Sequence, residues 1–134
     1  PIDAAAMGMH AMVLLAGAGD RPSPVASLAG RLQVSPDHLS KVMQRLVRAG
    51  LVRSERGRAG GFVLAKPGDR VTLLDVFEAI DGPMAPRDCI LPRPVCGGVT
   101  CVLGRLLAGV NEQFMRSLGG TTLAEVAAAE WVKG

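Results

Sequence analysis

The chain is poor in aromatic side chains, which make up 3% of its 134 residues although 49% of the residues are hydrophobic. Its core is therefore expected to consist of Leu, Val, Ala and Met, a composition that suits helices better than a β-sandwich. No apolar run approaches the roughly 20 residues needed to span a bilayer. The apolar stretch 7–19 has no basic region before it, which favours a structural helix over a signal peptide. We expect a cytoplasmic protein with no membrane partner.

The sequence also lacks the usual signatures of catalysis. It has no Cys-x-x-Cys pair, no nucleotide-binding glycine motif, and no Ser, His and Asp at a spacing typical of a triad. A small redox enzyme or electron carrier is thereby disfavoured. The length fits one compact domain. We expect a protein that binds and senses, and that is not an enzyme.

Positive charge is concentrated in one segment of the chain. The formal net charge is +3, but residues 41–70 hold eight basic and two acidic residues, a local net charge of +6. The basic residues there are Lys41, Arg45, Arg48, Arg53, Arg56, Arg58, Lys66 and Arg70. Such a segment on a near-neutral chain is typical of a phosphate-binding surface. The alternative interpretation is an ordinary solvated face.

Helix-start signals occur twice in the first third of the chain. After a predicted first helix over 3–17, with Met9, Met12, Val13 and Ala16 on one face, the pair Ser23-Pro24 is typical of an N-cap and first helical position. Ser35-Pro36 repeats this signal. The second of these helices is expected to turn Leu39, Val42, Met43 and Leu46 inward and to end at 49–50. Two short capped helices joined by a tight turn predict a helix-turn-helix.

A β-hairpin is predicted directly after these helices. Residues 51–55 and 62–65 have strand character, and the glycine-rich turn 56–61 lies between them. Thr72 with Asp75 forms a capping-box pattern for a helix that runs to about residue 80. The predicted fold class is mainly α with a small β-hairpin wing, a winged helix-turn-helix followed by a long C-terminal dimerisation helix.

The chain changes character after residue 81. A proline- and glycine-rich loop over 82–101 separates a winged-helix DNA-binding domain, 1–81, from a C-terminal helical part, 102–134. A long helix is predicted over 102–118, with an apolar stripe, and Thr122 with Glu125 caps a last short helix. The stripe consists of Leu103, Leu106, Leu107, Val110, Phe114 and Leu118. It either packs on its own domain or pairs with a symmetry mate in a homodimer.

The loop contains the cysteine-rich part of the chain. Cys89, Cys96 and Cys101 lie within thirteen residues in a C-x6-C-x4-C pattern and are the chain's three cysteines. An odd number without a secretion signal disfavours a disulfide scaffold. Closely spaced thiolates are ligands for iron–sulfur clusters and zinc. Redox-active thiols without metal, or cysteines left from an ancestral site, are the alternatives.

Taken in order, these motifs resemble the bacterial family of winged-helix regulators that includes the iron–sulfur regulator IscR and the nitric-oxide-sensing repressor NsrR. The resemblance spans essentially the whole chain. It rests on LVRAGLV at 46–52, RGRAGGF at 56–62, the three-cysteine loop and TTLAE at 121–125. It implies a homodimer, a palindromic double-stranded DNA operator and an iron–sulfur cluster near the dimer interface. Expected signals are redox change, nitric oxide or iron–sulfur status.

The helix that begins after Ser35 is expected to enter the major groove with its N-terminal end. Its candidate DNA-binding residues are Ser35, Asp37, His38, Ser40, Lys41, Gln44 and Arg45. The family often has glutamate at the position of Ser40, so the operator sequence is expected to differ. Arg45 has an alternative role as an internal salt-bridge partner. Arg56 and Arg58 at the wing tip are expected to follow the minor groove, the alternative being plain solvation.

The resemblance also bears on the cluster ligands. The familiar pattern is C-x5-C-x5-C, so the middle cysteine here is displaced by one while the outer span matches. A histidine that follows the third cysteine in IscR-like proteins corresponds to Gly104, and an acidic ligand in the first helix would align near Ala6. His10 of the partner subunit is the favoured fourth ligand, with Asp3 weaker. The cluster is 2Fe–2S or 4Fe–4S. Alternatives are a cluster-free thiol-based redox regulator and a winged-helix protein-interaction module.

Overall fold

The computed structural model describes residues 4–83 and 102–129. Within these ranges the chain forms six α-helices, one 3-10 turn and one two-stranded antiparallel sheet. The elements are α1 (Ala4–Ala18), α2 (Val25–Leu32), α3 (Pro36–Arg48), β1 (Val52–Glu55), β2 (Gly61–Leu64), the 3-10 turn (Gly68–Arg70), α4 (Leu73–Asp81), α5 (Val102–Gly119) and α6 (Leu123–Ala128). None of the described helices is long and apolar enough to cross a membrane.

Helix α1 forms the centre of the domain. It packs against α2, α3, α4, α6 and β2. Ala5, Met7, Ala11 and Leu15 are buried together with Met12 and Val13, so the helix is enclosed on several sides. The predicted single apolar face was therefore too narrow, and two of its members, Met9 and Ala16, are only partly buried. A helix surrounded by other elements needs apolar residues around most of its circumference.

The helix-turn-helix is confirmed in α2 and α3. The Ser35 hydroxyl oxygen accepts a hydrogen bond from the His38 backbone N–H at 3.4 Å, with Pro36 as the first residue of α3. The four residues predicted to face the core are all buried: Leu39, Val42, Met43 and Leu46. The order of capping and apolar residues in this segment is thus sufficient to set α3.

The predicted N-cap at Ser23 is wrong. Pro24 occupies the cap position of α2, and Ser23 pairs with the wing. The Ser23 N–H donates to the Phe62 carbonyl at 3.0 Å, and the Phe62 N–H donates to the Ser23 carbonyl at 2.9 Å. Ser23 therefore ties β2 to the start of the helix-turn-helix.

The wing is the predicted hairpin. Its register runs from Val52 opposite Leu64 to Glu55 opposite Gly61. At the tip, the Gly60 N–H donates to the Gly57 carbonyl at 3.0 Å. Val52 and Phe62 of the hairpin belong to the hydrophobic core, and Arg56, Gly57 and Arg58 of the turn are exposed to solvent.

Helices α4 and α6 begin side by side. Thr72 and Thr122 pair across an isolated bridge, and each starts a capping box, with Asp75 and Glu125 respectively. The Leu73 N–H donates to the Thr121 carbonyl at 3.0 Å. Both predicted capping boxes are confirmed, and this junction holds the end of α5 against the winged-helix core.

Helix α5 packs on α4 through one side and leaves an apolar side exposed. Phe114 packs edge-to-face on Phe77 of α4, with ring centroids 5.3 Å apart. The N-terminal half leaves Val102, Leu103, Leu106 and Val110 60–64% exposed, and Phe114 is 37% exposed. Among the described residues, the stripe therefore packs on its own domain near Phe114 and is exposed toward its N-terminal end, and its pairing with a symmetry mate stays a prediction. The division at 81 and 101 stays a prediction.

Candidate nucleic-acid interface and sensor residues

The exposed side of α3 carries a line of polar and charged residues. Spacings of four, three and four residues place these on the side opposite the buried Leu39, Met43 and Leu46. The line consists of Asp37, Lys41, Gln44 and Arg48, all exposed. Three of its members were predicted from the sequence. Arg48 was missed, although its spacing from Lys41 and Gln44 could have revealed it.

Two other predicted residues lie beside this line. Ser40 is half-buried, so less of its side chain is accessible to a ligand. The Ser35 hydroxyl oxygen accepts the capping hydrogen bond from the His38 N–H, and its proton can still be donated to another group. Ser35 thus both sets where α3 begins and remains chemically able to bind a phosphate oxygen.

Between α3 and α1 lies a cavity with basic residues at its edge and mostly apolar residues inside it. His38, Lys41 and Arg45 border a cavity of about 180 Å³ whose other lining residues are Ala4, Met7 and Val42. The Arg45 side chain also reaches α4, where its Nη1 donates a hydrogen bond to the Ile80 carbonyl at 3.2 Å. The predicted salt bridge of Arg45 is not found among the described residues; the guanidinium bonds to a backbone oxygen at the end of α4 and not to a carboxylate.

The wing presents its two predicted arginines at an exposed tip. Arg56 and Arg58 flank Gly57 and are both exposed. On the adjoining strand, Arg53 Nη2 lies 3.3 Å from Glu55 Oε1, and both side chains are largely exposed. This pair offsets the one acidic charge of β1, so the hairpin keeps a positive field at its tip.

His10 has a defined ring orientation. Its Nδ1 lies 2.6 Å from the Ala6 carbonyl oxygen, one turn earlier in α1. Because a carbonyl oxygen can only accept, Nδ1 carries the hydrogen, and in the neutral ring Nε2 carries the lone pair. Metal-binding histidines commonly have this arrangement, with one ring nitrogen held by a backbone carbonyl.

His10 also lies where two apolar grooves meet. One groove, of about 260 Å³, is lined by Ala6, Met7, Leu32 and Val34 besides His10. The other, of about 270 Å³, includes Val13, Leu73, Leu118 and Val126. The imidazole is exposed between them. His10 is thus presented on the surface of α1 and not packed in the core.

The three cysteines lie outside the described residues. The placement of Cys89, Cys96 and Cys101 relative to His10 therefore stays a prediction. Within residues 4–83 and 102–129, no three His, Cys, Asp or Glu side chains come together as a metal site. The chemistry of the predicted set, three thiolates and one imidazole, still fits an iron–sulfur cluster or zinc.

Comparison with known proteins places the chain among regulators. A family model described as "Rrf2: Iron-dependent Transcriptional regulator" matches residues 3–129. The HTH-type regulator YwgB of Bacillus subtilis is 35% identical over 102 residues, which are 75% of this chain and 65% of YwgB. Rv1287 of Mycobacterium tuberculosis is 36% identical over 121 residues, covering 89% and 75%. IscR of Yersinia pestis is 31% identical over 107 residues, covering 80% and 65%. The chain thus spans about two thirds of the length of YwgB and IscR.

Solved structures share the same architecture. CymR (YrzC), the global cysteine regulator of B. subtilis, superimposes with a TM-score of 0.79 at 27% identity, over 96% of each chain. IscR of T. potens superimposes with a TM-score of 0.74 at 24% identity, over 100% of this chain and 93% of that one, which shows the fold alone. The predicted resemblance and the winged-helix fold class are confirmed.

Proposed function

Because the chain belongs to the Rrf2 family of transcriptional regulators, which are not enzymes, we propose that it is a homodimeric DNA-binding regulator. Its affinity for a palindromic operator depends on the state of Cys89, Cys96 and Cys101. The observation that carries the DNA-binding part is the line of Lys41, Gln44 and Arg48 on a capped helix beside a basic wing.

Docking follows from the geometry of the two basic elements. In helix-turn-helix proteins the N-terminal part of the second helix contacts base edges in the major groove. Lys41 and Gln44 carry the donors and acceptors that base edges and phosphates recognise. Arg56 and Arg58 provide guanidinium groups for the minor groove, where the negative potential is strongest when the groove is narrow. A protein-interaction module needs neither feature.

The first test measures binding to duplex DNA against salt. We expect the logarithm of the association constant to fall linearly with the logarithm of salt concentration, because phosphate contacts release counterions. Lys41→Ala should weaken binding and reduce the magnitude of this slope by about 1. Arg116→Ala is the control, because Arg116 lies on α5 and is paired with Glu112 at 2.7 Å. A protein that binds no duplex at low salt would instead favour the protein-interaction module.

An iron–sulfur cluster is the cofactor through which the protein is proposed to sense its signal. The three cysteines and His10 of the partner subunit are the residues that would hold an iron–sulfur cluster. When bound, the cluster supplies a centre that changes charge or is lost on oxidation or nitrosylation. The Ala6 carbonyl supports this assignment, since it accepts from Nδ1 of His10, the backbone contact commonly made by histidines that bind a metal through Nε2.

A cluster-free thiol regulator is the second candidate. The displaced middle cysteine and Gly104, which stands at the position of the ligand histidine, both depart from the family pattern. The fold does not favour the cluster over the thiols, since the chain superimposes on CymR at least as well as on IscR, with TM-scores of 0.79 and 0.74. In that case Cys89, Cys96 and Cys101 respond by thiol oxidation, and the DNA-binding surface is unchanged.

The deciding measurement is an ultraviolet–visible spectrum with iron and sulfide analysis on protein purified without oxygen. A brown protein with about one cluster per chain supports the first candidate. His10→Ala should then lower cluster occupancy or shift its absorbance, whereas His38→Ala, at the chain's other histidine, should leave both unchanged. A protein that stays colourless after anaerobic reconstitution with iron and sulfide supports the thiol regulator.

A further inference from the structure

A side chain of α3, Arg45, forms a hydrogen bond across the junction with the end of α4. We infer that Arg45 is a positioning residue that links the C-terminal end of α4 to the exposed residues of α3 proposed to contact DNA. These residues, Lys41, Gln44 and Arg48, are called the DNA-reading line below. Arg45 thereby transmits the state of the sensor segment to the operator surface. The inference deepens the proposed function and rests on it.

The polar half of this link is the bond from Arg45 Nη1 to the Ile80 carbonyl, 3.2 Å long and partly buried. Ile80 lies in the last turn of α4, where carbonyl groups have no amide partner further along the helix. The Gly82 N–H bonds to the Glu78 carbonyl at 2.9 Å. The guanidinium thus satisfies a terminal carbonyl and complements the negative end of the helix dipole.

The second contact between α4 and its neighbours is apolar and is made by the side chain of Ile80. Ile80 is 7% exposed. Its Cδ1 lies so near the Gly8 Cα that a methyl group there would overlap it, and Val42 Cγ1 would be 3.2 Å from the same methyl group. Helices α1, α3 and α4 therefore meet around Ile80 with little free space. Close packing of this kind transmits a displacement and does not absorb it.

The Arg45–Ile80 hydrogen bond lies between the predicted sensor segment and the DNA-binding residues of α3. Ile80 is two residues before Gly82, where the predicted sensor segment 82–101 begins, so the end of α4 is one of the two places where that segment joins the described helices. On α3, Arg45 adjoins Gln44 and lies one turn from Lys41. A shift of the Ile80 carbonyl therefore reaches Lys41 and Gln44 through the Arg45 hydrogen bond, beside the packing of Ile80 itself.

The test compares three variants in two states of the cysteines. Operator affinity is measured for the anaerobically purified protein and for the oxidised protein, and their ratio is the coupling. Allosteric couplings are typically about 5–150-fold. Arg45→Ala should bring the ratio close to one, while Arg45→Lys, which keeps a cationic donor, should retain most of it.

Arg48→Ala is the matched control. Arg48 is exposed in the same last turn of α3 and belongs to the DNA-reading line. Its loss should lower affinity by the same factor in both states and leave the ratio unchanged. A merely structural role for Arg45 would show the same uniform loss, so a preserved ratio in Arg45→Ala overturns the inference.

Hydrogen exchange separates this inference from the sensing proposal. Coupling is reciprocal, so duplex DNA bound at α3 should slow amide exchange at the end of α4. This protection should be lost in Arg45→Ala and kept in Arg48→Ala. If the parent's affinity ratio is already one, the sensing proposal fails while the exchange result still decides the role of Arg45. Protection that persists in Arg45→Ala overturns it.

Discussion

At the scale of single residues, Gly61 has the most demanding position in the wing. Its φ is +152°, and an added Cβ would meet the backbone of Ser23 and lie 2.6 Å from the Pro24 nitrogen. These are the atoms through which β2 pairs with the start of the helix-turn-helix. Gly61 therefore permits both the turn into β2 and the close approach of two backbones.

We predict that Gly61→Ala destabilises the fold by about 1–3 kcal/mol, because both the backbone conformation and the Ser23 contact become strained. The free energy of unfolding from urea denaturation measures this. Gly30→Ala is the control, since Gly30 lies within α2 with open space around it. That variant should be neutral or stabilised by up to about 1 kcal/mol. Equal stabilities for the two variants would contradict the steric argument.

The single residues also show where sequence reasoning succeeds and fails. The Ser35 cap depends on atoms three residues apart, so it could be predicted. Ser23 carries the same local signal, but the distant Phe62 engages its backbone in a β-bridge. Two roles were predicted for Arg45, and local patterns could not decide between them, because its partner Ile80 is 35 positions away. Local patterns predict local bonds, whereas partners distant in sequence require the fold.

At the scale of elements, the two capping boxes join the winged-helix core to the C-terminal helices. The Glu125 N–H donates to Thr122 Oγ1 at 3.2 Å, and the Asp75 N–H donates to Thr72 Oγ1 at 3.1 Å. The two threonines also pair with each other. The start of α6 is thereby fixed to the start of α4.

We predict that Thr122→Ala lowers the free energy of unfolding by about 1 kcal/mol, within the range of about 0.5–2 kcal/mol known for N-cap loss. Thermal denaturation followed by circular dichroism measures it. Thr122→Ser keeps the hydroxyl and should recover most of the loss. A serine variant as unstable as the alanine variant would mean that the methyl group, and not the cap, stabilises this junction.

Elements differ in how well the sequence predicts them. Helices α3, α4 and α6 begin at capping residues, and the wing has a glycine-rich turn, so these could be placed closely. The burial of α1 on several sides could not be predicted, because the helices and the strand that pack around it come from other parts of the chain. The 84–101 stretch, which holds the cysteines, has no periodicity and lies outside the described residues.

At the scale of the whole molecule, the exposed half of α5 bears on assembly. Leu106 and Val110 are 63% and 64% exposed, and they continue the stripe that Phe114 anchors on α4. A contiguous apolar face of this kind on a helix is typical of an interface. Pairing with a second copy would bury it symmetrically. To bind two half-sites, such a dimer has to present its two α3 helices about 34 Å apart, the spacing of successive major-groove half-sites.

If the chain forms the homodimer proposed above, we predict that Leu106→Glu makes it monomeric. A symmetric interface buries two copies of the residue, and an unpaired buried charge costs about 3–5 kcal/mol per copy. Even the lower value implies a dissociation constant raised by roughly 10,000-fold. Sedimentation velocity measures the mass, and a gel-shift titration against a palindromic duplex measures the consequence for DNA. Arg105→Glu is the control, because it places a carboxylate one position earlier, on the side of α5 away from the stripe. That variant should remain dimeric. If Leu106→Glu is still a dimer, the partner docks on another face, and the exposed stripe of α5 requires a different occupant.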